Sequence, residues 1–95
     1  MEVSKMITLS TAHITEETSK MLENPNNKLP LSIYNKGHFG WFIYVPTETK
    51  DDSETLKELP KDLAILYMFA KYNEFEVICL DCDGNTVDEL PIYDW

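Results

Sequence analysis

The order of apolar runs and breakers predicts a single α+β domain over residues 1–95, of β-α-β-β-α-β-β order. The sheet is expected to be mainly antiparallel, with two helices on one face in a ferredoxin-like arrangement. Three observations carry this. Residues 60–73 repeat apolar side chains at helical spacing, residues 31–45 hold two β-rich runs about a Gly-containing turn, and residues 75–92 alternate about an Asp-Gly dipeptide. With 95 residues and 43% hydrophobic content there is material for one core, burying roughly 60 to 65% of the surface that the unfolded chain exposes.

The first strand is read at residues 5–9, KMITL. A helix follows: Thr15 sits where an N-cap hydroxyl bonds a free backbone N–H, Glu16 and Glu17 face the positive end of the helix dipole, and Met21 and Leu22 supply core contacts. Pro25 pushes Asn24 out of helical geometry, so NPNN ends it. Leu31 to Tyr34 and Phe39 to Val45 then flank a turn near Asn35 to His38 and read as a hairpin stopped by Pro46. The charged stretch from Thr47 to Leu59 is expected to be a solvated connection with at most a helical turn. Pro60 suits a helix start, Asp62 complements the dipole, and Leu63, Leu66, Tyr67 and Ala70 recur at i, i+3, i+4 and i+7. A second stripe on that helix, Ile65, Met68, Phe69 and Tyr72, is either buried by sheet and loops or offered to a partner.

FEVICLDCDGNTVDELPIY is read as a closing hairpin with a type I′ turn at Asp83-Gly84. That register sets Cys82 opposite Asn85, Leu80 opposite Val87 and Cys79 opposite Asp88, and Pro91 makes the last strand an edge. Cys79 and Cys82 then point to opposite faces about 10 Å apart, beyond the roughly 7 Å reach of a disulfide and awkward for one zinc. His13 and His38 lack zinc-ligand spacing, and counting from Asp81 puts Gly84 fourth and Ile92 twelfth, unlike a calcium loop. No metal or other cofactor is expected.

Charge narrows the partners. Seventeen acidic residues face eight lysines and no arginine, for a net charge of −9, and Tyr72 to Trp95 contain no lysine at all. Nucleic acid and anionic membranes are disfavoured by that field. Residues 1–10 lack the apolar run of a signal peptide, and the longest apolar stretch, Leu63 to Ala70, is far below the roughly 20 residues that span a bilayer. A cytoplasmic setting with reduced thiols is expected.

Ser10, Thr11 and His13 place hydroxyls and an imidazole at the strand-to-helix junction, the candidates for a catalytic site. The plainer reading has them bonding backbone groups in the turn. KGHFGWFIY, Lys36 to Tyr44, resembles the first signature of RNA-recognition motifs interrupted by His38, but the first strand lacks the companion aromatic and the net charge repels phosphate.

The opening STAHITEET, the run GWFIYVP and the close DCDG…LPIYDW together resemble a family of small uncharacterised bacterial proteins often carried on plasmids, prophages and other mobile elements. The resemblance implies that origin and a cytosolic setting, and brings no established activity. The leading expectation is therefore a non-enzymatic protein-interaction module. Its contact residues are expected on the acidic hairpin (Asp81, Asp83, Asp88, Glu89) or on the stripe Ile65, Met68, Phe69 and Tyr72, with a basic protein or a second copy of the chain as partner. The rivals are a small enzyme using His13 with Ser10 or Thr11, which needs His13 partly exposed in a concavity, and a DNA mimic that inhibits a basic protein.

Overall fold

A computed structural model describes residues 5–46 and 51–95. Strand β1 (Met6–Ser10) runs into a 3-10 turn at Thr11–His13 and helix α1 (Glu16–Glu23). The hairpin β2 (Ser32–Asn35) and β3 (Gly40–Tyr44) follows, then α2 (Ser53–Lys57), α3 (Lys61–Tyr72) and β4 (Val77–Asp81). The class is α+β, with one four-stranded mixed sheet and three α-helices among the described residues.

The local start and stop signals act as their chemistry requires. The Thr15 side chain accepts from the Thr18 N–H at 3.2 Å, Glu16 and Glu17 occupy the first turn of α1, and the chain leaves helical geometry at Asn24. Pro60 stands one residue outside α3 as its N-cap, and Leu63, Leu66, Tyr67 and Ala70 are all buried. The charged connection contributes the short α2; its residues 47–50 lie outside the described part of the chain.

The sheet order is β1-β4-β3-β2, with β1 and β4 parallel and the other two pairs antiparallel. This corrects the expected ferredoxin-like connectivity: β4 lies between β1 and β3. It also corrects the closing hairpin. Residues 82–95 form no strand, and Gly84 is not among the residues with positive φ.

Side-chain matching explains why. Val77 to Leu80 is buried on both faces, as a central strand demands. Pairing it with residues 85–92 would set Asp88, Glu89 and Pro91 into the ladder. Pairing it with β1 and β3 aligns Ile78 with Ile7 and Ile43, and Leu80 with Leu9 and Trp41. That apolar row outweighs the local turn preference of Asp-Gly.

These rows share one hydrophobic cluster with Leu22 of α1 and Leu63, Leu66, Tyr67 and Ala70 of α3. Full burial of a Leu or Ile contributes about 1.5 to 3 kcal/mol, so this face is where folding gains most. The opposite face carries Met6, Thr8, Phe42, Tyr44 and Tyr34, of which Met6, Tyr34 and Tyr44 remain about half exposed.

Candidate functional site

The junction after β1 is a structural clamp. Ser10 is buried; its hydroxyl accepts from the Ala12 N–H at 3.0 Å and caps the 3-10 turn. His13 is 1% exposed. The Val87 N–H donates to its Nε2 (3.1 Å), which leaves Nδ1 protonated and donating to the Pro91 carbonyl (2.8 Å). Both ring nitrogens thus hold backbone groups, and His13 has neither the exposure nor the free lone pair of a general base. The Ser10 N–H donates to the Asn85 carbonyl, the Tyr93 N–H to Ala12, and the Trp95 indole N–H to Ile14. Residues 82–95 are thereby a strap laid along β1 and the 3-10 turn, with Leu90 in the core.

Asp62, read as a dipole-complementing residue of α3, reaches across to α1. It is 5% exposed and accepts from the Thr15 N–H at 2.7 Å and the Thr18 hydroxyl at 2.8 Å, so one carboxylate fastens the start of α1 to α3.

A cleft of about 440 Å³ opens where the β2–β3 turn meets the end of β4. The end of β2 contributes Asn35, the turn His38 and Phe39, β3 Trp41, and α1 Ser19 and Glu23, and Thr11, Cys82 and Trp95 complete the wall. Two backbone contacts bring these together. The Cys82 N–H donates to the Phe39 carbonyl at 2.8 Å, and Gly40 lets β3 approach β4 so closely that a Cβ there would lie 1.7 Å from the Leu80 oxygen. A thiol and an imidazole, Cys82 and His38, share this cleft, yet no hydrogen bond joins them.

Beside the cleft, Asp81, Cys82 and Asp83 hold their ligand atoms within 4.8 Å of one another, a set that can accept a metal ion. Asp81 is already committed: its carboxylate pairs with the Lys36 ammonium and accepts from the Asp83 N–H at 2.8 Å. Lys36 first and that N–H second hold the Asp81 carboxyl below the usual carboxylate range, and the same pairing raises Lys36. Cys79 is buried and Cys82 exposed, both as free thiols.

Of the expected contact residues, Asp83, Asp88 and Glu89 are exposed on the strap, joined by Asp94, and none of these carboxylates forms an ion pair among the described residues. The α3 stripe is divided. Ile65 and Phe69 pack against the core, while Met68 and Tyr72 are 43% and 87% exposed.

The cleft and the Asp62 bridge were not legible in the sequence, since Asp62 lies 44 and 47 positions from Thr18 and Thr15, and the cleft gathers residues from separate segments between Thr11 and Trp95 that meet only in the fold. The exposed strap carboxylates were signalled by the absence of lysine after Lys71.

No curated protein and no solved structure matches the chain. A family profile does, over residues 6–95, nearly all of the described fold including the clamp, the strap and the cleft. On that match the chain belongs to a family of unknown function, DUF5983, whose C-terminal domain it represents.

Proposed function

We propose that this domain is a non-enzymatic protein-interaction module whose acidic strap, residues 82–95, docks on a basic protein. One observation carries the reading: Asp83, Asp88, Glu89 and Asp94 are exposed, and without an ion pair among the described residues, on a segment that the fold fixes in place through His13, Tyr93 and Trp95. Fixed charges of one sign steer an oppositely charged partner and lose little entropy when it arrives. Asp81 serves the fold through Lys36 and is not part of the contact set. The buried, doubly bonded His13 weighs against an enzyme built on Ser10, Thr11 and His13.

The likeness of STAHITEET and LPIYDW to small bacterial mobile-element proteins supports a bacterial, cytoplasmic setting. In that setting a DNA-binding protein is one class of basic partner, and competition by duplex DNA identifies it.

The test compares affinity capture from host lysate at low and high salt by the native domain and by a D83N/D88N/E89Q/D94N variant of equal thermal stability. Basic proteins held by the native domain at low salt and lost from the variant support the reading. The same proteins captured equally by both would sink it.

A further inference from the structure

Trp41, Trp95 and Phe39 line the cleft together with the His38 imidazole and, among the described residues, one carboxylate, Glu23, and no lysine. Aromatic rings beside a carboxylate form the setting that recognises an organic cation, because ring quadrupoles attract positive charge within about 6 Å and the carboxylate neutralises it. Glu23 is the last residue of α1, where the negative end of the helix dipole adds to its own charge, an arrangement that opposes helix stability and favours a bound cation. It is exposed and forms no ion pair among the described residues. The aromatic wall is set in advance: Trp41 is 8% exposed, and the Trp95 indole is fixed by its 2.8 Å bond to the Ile14 carbonyl. Cys82 and Trp95 are also the two ends of the acidic strap, so the cleft continues that surface.

We propose that this cleft receives a basic side chain, lysine or arginine, of the partner that the strap attracts, an inference that rests on the strap being the docking surface. The strap supplies long-range attraction; the cleft supplies the anchor, with the cation seated against the rings and Glu23.

The chain's two tryptophans both line the cleft, so intrinsic fluorescence reports occupancy directly. The domain is titrated at constant ionic strength with Nα-acetyl-lysine methylamide and Nα-acetyl-arginine methylamide, with the norleucine analogue as neutral control. A saturable change with at least one cation and none with the control is expected, weakened about five-fold or more in Glu23→Gln. Equal responses to cation and control, or unchanged affinity in a folded Glu23→Gln, overturn the inference. A D88N/E89Q variant separates it from the strap reading. Loss of basic-protein capture by that variant, with no probe binding to the native domain, defeats the cleft alone. Intact probe binding with undiminished capture defeats the strap reading and the assignment of the cleft to a strap-bound partner, leaving only the cleft's affinity for a cation.

Discussion

His13 shows how one side chain can substitute for a strand. The strap has no ladder partner along most of its length, so its part-buried backbone groups need other partners, and the imidazole supplies an acceptor to Val87 and a donor to Pro91, 74 and 78 residues away in sequence. His13→Ala would leave the Val87 N–H and the Pro91 carbonyl unsatisfied beside a cavity, and the expected loss is about 2 to 4 kcal/mol. Urea denaturation measures the loss, and hydrogen exchange should show residues 85–95 opening first. A variant with native stability and native strap protection would show that the strap is held without the ring. Asp62→Ala should act in the same way at the start of α1, by about 2 to 3 kcal/mol, because the Thr15 N–H and Thr18 hydroxyl both lose their acceptor.

At the scale of elements, signals confined to a few neighbouring residues were legible and those that depended on pairing were not. The Thr15 cap, the Pro25 stop, the hairpin around Gly37 and the i, i+3, i+4, i+7 rows of α3 each act within a turn or two, and each element stands where those residues place it. Asp83-Gly84 is an equally local signal, but it lost to the apolar match of β4 with β1 and β3. Gly84 is required for a different reason than a hairpin turn: a Cβ there would lie 2.7 Å from the Leu9 carbonyl. Gly84→Ala should therefore destabilise by about 1 to 3 kcal/mol through backbone collision. Gly40→Ala should cost more, since its φ of +155° is strained for alanine and its Cβ would meet the Leu80 oxygen. Thermal unfolding of the two variants checks the order, and a more stable Gly40→Ala would show that β3 and β4 are not so closely apposed.

For the whole molecule, the net charge of −9 makes stability sensitive to pH at both ends of the scale. On the acid side, Asp81 has a folded pKa lowered by Lys36 and the Asp83 N–H. Its stabilisation is complete above the ordinary aspartate value and disappears as pH falls through the lowered one, so Asp81→Asn should flatten the decline below about pH 4, with a smaller difference in high salt. On the alkaline side the sign reverses. Burial, with help from the bond to Asp52, pushes the Tyr67 hydroxyl up to about 12. Between the unfolded value near 10 and that folded value, the unfolded chain releases a proton that the native state keeps, so stability falls as pH rises. Tyr67→Phe loses the 2.6 Å bond to Asp52 at every pH, but its stability should decline less steeply than the native protein's from about pH 10 to 12, by the slope of one proton. The difference between the two denaturation series isolates Tyr67 from the lysines and other tyrosines that titrate in the same range. Parallel curves would mean that Tyr67 ionises as readily in the native state as in the unfolded chain, and that the Asp52 contact between α3 and the start of α2 opens in alkali before the core does.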